Sequence, residues 1–119
     1  NYYDDRDVYL IKTDGNGDTL WTRTYGGLKN EEGKFVQQTT DGGYIVIGST
    51  QSFVTGLGIY LIKTDPNGDT LWTRTYKGEG SAIGYCVRQT NDGGFIITGS
   101  IYPPDQNGER LYLLKTDSQ

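Results

Sequence analysis

Apolar and polar positions alternate along this chain in short runs, and each run ends at Gly, Asp or Asn. VYLIKT at residues 8–13 is apolar on both faces apart from Lys12, which predicts a strand sandwiched inside a layered structure. DTLWTRTY at 18–25 alternates, with Trp21, Arg23 and Tyr25 on one face and Leu20, Thr22 and Thr24 on the other. KFVQQTT at 34–40 predicts a short, half-polar strand, and GYIVIGS at 43–49 another that is apolar on both faces. Turn signals separate them: DGNG at 14–17, a loop over 26–33, DGG at 41–43 and a Gly/Ser/Thr-rich stretch at 49–58. No run carries a 3.6-residue apolar period, so the pattern predicts an all-β chain.

The same four segments then return. KTDGNGDTLWTRTYGG at 12–27 reappears as KTDPNGDTLWTRTYKG at 63–78, differing only at Gly15/Pro66 and Gly26/Lys77. An offset of 51 carries Val8 onto Ile59, Trp21 onto Trp72, Val36 onto Val87 and Gly42–Gly43 onto Gly93–Gly94. LYLLKTD at 111–117 opens a third copy at an offset of 52. The expected organisation is one repeat array: a repeat over 8–58, a second over 59–110 and the start of a third over 111–119. Four short strands per repeat of this length predict β-propeller blades, each a four-stranded antiparallel sheet. The expected order within a blade is FVQQT innermost, then GYIVIG, IYLIKT and DTLWTRT outermost. Val36 and Val87, flanked by Gln37, Gln38, Arg88 and Gln89, then suit a channel wall.

The pattern DGGYIVIG…YLIKTDxNGDTLWTRTYGG resembles the tandem ~50-residue β-propeller repeats of secreted and surface proteins of bacteria and archaea. The resemblance runs over essentially the whole chain. It implies blades, an extracellular or cell-surface location, and a binding or scaffolding role without a common catalytic activity.

DGNGDTLW and DPNGDTLW carry the chain's most specific local signal. Read as turns, their Asn-Gly pairs supply positive-φ residues and their leading Asp caps backbone amides. Trp21, Tyr25, Trp72 and Tyr76 would then dock each blade on its neighbour. Asp14, Asn16, Asp18, Asp65, Asn67 and Asp69 also place oxygen ligands at alternate positions, as a calcium loop does. The distal bidentate Glu of such a loop is missing, since Tyr25 and Tyr76 stand near its place, so the turn reading comes first. The segment is also similar to the Asp-box of sialidases and the Trp-docking motif of quinoprotein dehydrogenases. It departs from both in spacing, and in those families too the motif holds blades together.

Composition narrows the function classes further. With no His in 119 residues, Ser/His/Asp, Cys/His and zinc constellations have no member here, so no enzyme and no cofactor are expected. A net charge of −4, with Lys12, Arg23, Lys63 and Arg74 isolated from one another, argues against nucleic acid as a partner. No apolar run reaches the ~18 residues of a membrane span. Cys86, aligned with Phe35, reads as a small buried apolar residue. Glu31–Glu32, aligned with Ala82–Ile83, reads as a solvated loop. Tyr2, Tyr3, Phe53 and Tyr102 are expected in loops outside the repeat pattern, where rings could contact a glycan or a surface protein. A start at Asn1 without any Met is expected of a processed product, a fragment or a sequence lacking its original start.

A pair of blades and part of a third exposes apolar docking faces, so the partners expected first are other blades of the array or other copies of the chain. The function expected is a structural or interaction scaffold. The alternatives are a self-assembling extracellular fibre or surface-layer subunit, and part of a larger propeller enzyme or glycan-binding protein whose site lies outside this chain.

Overall fold

The computed structural model describes residues 6–77, 80–104 and 108–118. The strands run β1 Val8–Thr13, β2 Thr19–Tyr25, β3 Glu31–Gln38, β4 Tyr44–Thr50, β5 Gly58–Thr64, β6 Thr70–Tyr76, β7 Ser81–Gln89, β8 Phe95–Tyr102 and β9 Arg110–Thr116. They form three antiparallel sheets: β1-β2, then β3-β4-β5-β6, then β7-β8-β9. The central sheet has the strand order that the sequence pattern predicts. Each pairing recurs in the next copy with its irregularities: bulges at Lys12/Thr13 and Lys63/Thr64, and at Gly33/Phe35 and Gly84/Cys86. Identical local sequence gives identical register because the turns and the pleat leave one solution.

The cores lie between sheets. Val8 and Tyr25 of the first sheet meet Val46, Tyr60 and Ile62 of the central one. Ile45, Ile47, Ile59 and Leu61, on the other face of the central sheet, meet Ala82, Val87, Phe95 and Ile97 of the third. The central sheet is therefore covered on both sides, and all seven residues of β5 are buried. Burying side chains of this size contributes roughly 1.5–3 kcal/mol each, which makes these two seams the main source of stability.

Four expectations need correction. β1 was expected to be covered on both faces, yet Tyr9 and Ile11 are 60% and 49% exposed where Tyr60 and Ile62 are 4% and 0%. The cause is position: β1 has a sheet on one side only, and β9 repeats this with Leu111 and Leu113 exposed. Glu31 was expected in a solvated loop, but β3 starts at Glu31 and its side chain is 1% exposed. Thr50 Oγ1 donates to it at 2.7 Å and the Gly27 N–H at 3.0 Å. Burial alone would raise the Glu31 pKa, but hydrogen bonds from Ser52, Gly27 and Thr50 prevail and hold it below the ordinary value. Tyr102, expected in a loop, ends β8. Val36 and Val87, expected to be alike, are exposed and fully buried respectively, since only Val87 faces a four-stranded neighbour.

Candidate functional site

The hairpin that joins β5 to β6 is built by its own sequence. The Asp65 carboxylate accepts the N–H groups of Asn67 at 2.9 Å and Asp69 at 3.0 Å, and Gly68 takes φ +83°. That leaves the turn's outer surface, at Gly68 and Asp69, free to receive another element. Strand β2 of the first sheet supplies it. The Tyr25 hydroxyl donates to the Gly68 carbonyl at 2.5 Å, and the Arg23 Nε–H donates to Asp69 Oδ1 at 3.2 Å. Trp21 lies so close over Gly68 that a Cβ there would stand 2.7 Å from the indole ring. Three side chains at alternate positions of one strand face thus clamp one hairpin. Gly is required twice over, for its φ and for the indole above it.

The aromatic part of this joint is made twice. Trp21 meets Tyr44 edge-on at 5.9 Å and 66°, and Trp72 meets Phe95 at 6.0 Å and 66°. Arg23 and Arg74 lie over Trp21 and Trp72 at 5.2 and 5.0 Å. Backbone bonds recur likewise: Glu31 N–H to the Arg6 carbonyl at 2.7 Å, and Ala82 N–H to the Leu57 carbonyl at 2.9 Å. Where β3 lies beside β7, Gln89 accepts the Thr40 N–H at 2.9 Å, and Arg88 lies 5.1 Å from the Phe35 ring.

A second recurring device ties the DGG turn to the KTD segment within a sheet. Lys63, buried, donates to Asp41 Oδ2 at 3.0 Å and to the Thr64 carbonyl at 2.8 Å. Lys115 reaches Asp92 Oδ2 at 3.1 Å and the Thr116 carbonyl at 2.6 Å. The Thr39 hydroxyl, the Gly43 N–H and Lys63 hold the Asp41 carboxyl down to about 2. The Thr90 hydroxyl, the Gly94 N–H and Lys115 lower that of Asp92 in the same way. Lys12 donates to its own following carbonyl, Thr13, at 2.9 Å, and the acid that would complete the device belongs to no described residue beside it.

The remaining candidates fall as follows. In the calcium reading, Asp14 and Asp65 spend one carboxylate oxygen on their own turns, and Asp69 pairs with Arg23. Among the described residues no three of His, Cys, Asp and Glu come together. Phe53 is half exposed, with its ring 5.3 Å from Tyr60, so it packs on its own sheet. Tyr102 is exposed at the rim of the third sheet, and Tyr2 and Tyr3 lie outside the described residues. Cys86 is a half-buried free thiol on β7. Glu32, beside the buried Glu31, is paired in the open with Lys34 at 2.8 Å and Arg6 at 3.1 Å.

Sequence reasoning singled out Trp21, Tyr25, Trp72 and Tyr76 but missed Arg23, Lys63 and Asp41. The signal was there: all three recur one repeat later, as Arg74, Lys115 and Asp92. No helix among the described residues is long and apolar enough to cross a membrane. No protein-family model matches the chain, and no curated protein matches it.

Proposed function

We propose that this chain is a non-catalytic segment of a β-propeller in a secreted or cell-surface protein, where it serves as a structural or interaction scaffold. One observation carries the reading: the residues that recur from copy to copy hold strands and sheets together. Trp21 and Trp72 make the same edge-on contact with the next sheet, and Lys63–Asp41 and Lys115–Asp92 the same tie within one. Side chains committed to such joints serve to position neighbours. In this reading the three sheets are successive blades, one complete and two partial, and the location outside the cell follows from the resemblance of the repeat.

Stability in such an array grows with each added unit, because each interface buries a face that a lone unit leaves wet. The test is to append copies of the 59–110 repeat to the chain and follow thermal unfolding and particle shape. A melting temperature that climbs with each copy and a ring in electron micrographs support the proposal. Appended copies that unfold independently of the first two would sink it.

A second reading, a self-assembling fibre or surface-layer subunit, is favoured by the apolar residues that both outer sheets present: Tyr9 and Ile11 on β1, Leu111 and Leu113 on β9.

A further inference from the structure

The repeat is nearly constant along the segment that makes its joints: residues 12–25 and 63–76 are identical apart from Gly15/Pro66. It changes most at a cleft of about 460 Å³ where β3 of the central sheet lies beside β7 of the third. The offset of 51 carries Arg6, Glu32 and Lys34 onto Leu57, Ile83 and Tyr85, and all six line this one cleft. Its first wall is therefore charged, and its second is apolar and aromatic.

Backbone irregularity aims two of these side chains. The ladders of β3 with β4 and of β7 with β8 skip Lys34 and Tyr85, the extra residues of the bulges at Gly33/Phe35 and Gly84/Cys86. A bulged residue has no partner across the ladder, and the local kink turns its side chain out of the pleat. Tyr85 is 44% exposed, and its hydroxyl shares a hydrogen bond with that of Tyr102. That bond fixes the tip of the ring and leaves much of its surface open. Across the cleft, Lys34 and Arg6 hold the Glu32 carboxylate at 2.8 and 3.1 Å. The Arg6 N–H donates to Asn30 Oδ1 at 3.0 Å, which fixes that wall to the loop before β3.

The floor supplies a hydroxyl. Ile45, Ile47 and Ser49 follow one another on the face of β4 that meets the third sheet, so the apolar row ends in a serine where the cleft begins. Ser49 is 7% exposed, and among the described residues no group hydrogen-bonds its hydroxyl. Its counterpart Ser100 is committed, donating to Glu109 at 2.8 Å. A hydroxyl so far withdrawn from water gains free energy from any polar group that reaches it.

From this we infer that the cleft binds a neutral sugar, with the apolar C–H face of one pyranose ring on Tyr85 and its hydroxyls among Glu32, Lys34 and Ser49. A sugar hydroxyl both donates and accepts, so a vicinal pair bridges a carboxylate that only accepts and an ammonium that only donates. The Tyr85 ring offers the flat apolar surface that the other side of the pyranose needs. Charge selects the neutral class. Arg6 and Lys34 are balanced by Glu32 and the buried Glu31, so an anion gains little attraction and competes with Glu32 for its cations. The volume lies within the roughly 300–1,000 Å³ of small-molecule sites. This goes beyond the scaffold role, and it stands on the cleft's own walls alone.

The experiment is a two-dimensional amide NMR titration of the full chain with the methyl glycosides of glucose, galactose, mannose and N-acetylglucosamine. At least one is expected to give saturable shifts centred on Glu32, Lys34, Ser49 and Tyr85. Tyr85→Ala is expected to weaken that binding roughly tenfold. Ser49→Ala is expected to weaken it roughly threefold. Tyr85→Phe, which keeps the ring, should retain it, and Tyr9→Ala, an exposed ring outside the cleft, should leave it unchanged. The amide spectrum of each variant shows directly that it is folded. Absence of saturable shifts with every one of these sugars overturns the inference. So does binding that survives both Tyr85→Ala and Ser49→Ala, or glucuronate binding more tightly than methyl glucoside. None of these results touches the array-extension test, which reads the joints between units.

Discussion

Asp14–Asp18 and Asp65–Asp69 differ in one residue, Gly15 against Pro66, and close with the same bonds. In each the first Asp N–H donates to the last Asp carbonyl at 2.9 Å, and the Gly N–H to the first Asp carbonyl at 3.1 Å. One hairpin is gripped by Trp21, Arg23 and Tyr25; the other stands open. The turn forms without help from tertiary contacts, because Asp caps its amides and Gly accepts the positive φ. Whether it also becomes half of a joint depends on which sheet lies beside it. The KTD segments say the same: Lys63 is buried on an acid, and Lys12 is half exposed on its own backbone.

Replacing the two hairpin glycines should separate turn from joint most sharply. Gly17→Ala bears only the left-handed backbone cost of about 1 kcal/mol. Gly68→Ala bears the same cost and also drives a methyl into Trp21, for a total of about 3 kcal/mol. Urea titration with tryptophan fluorescence reads both, and equal losses at the two positions would erase the distinction.

A smaller gap is expected between the lysines. Lys63→Met should cost about 2 kcal/mol, because the buried Nζ bonds to Asp41 and the Thr64 carbonyl vanish. Lys12→Met should stay within about 0.5 kcal/mol, as an exposed change does. Thermal melts of the two variants against the wild type give the comparison directly.

The smallest effect lies in the acid limb. Asp41 titrates at about 2 in the folded chain, below the roughly 3.9 of an unfolded Asp. Its contribution is therefore complete above about pH 4 and fades as pH falls toward 2. Lys63→Met, which removes one of the groups holding Asp41 down, should flatten the decline in melting temperature across that window. Lys12→Met should leave it as in the wild type. Parallel acid limbs for both variants would show that the buried tie does not couple to pH.

Much of the architecture was legible from residue pattern alone. Alternation in DTLWTRTY placed Trp21, Arg23 and Tyr25 on one face, and that face is the one that grips. The four-strand unit and its order followed from spacing and turns. Glu31 was misread because an adjacent acid pair normally marks solvent. Its counterpart Ala82, fully buried, carried the better hint that the position itself lies inside. The Lys63–Asp41 tie was missed because its partners sit 22 residues apart, on elements that only sheet pairing brings together.

The sequence by itself determined what local physics controls: the strands, the bulges, the turns and the recurring strand pairings. Those depend on neighbours within a few residues, and so they come out alike in every copy. Burial is not local. VYLIKT in β1, IYLIKT in β5 and LYLLKT in β9 are nearly one sequence, yet only β5 is buried throughout. Only the tertiary structure decided this, because exposure is set by how many sheets flank a strand, and that number is a property of its place in the stack.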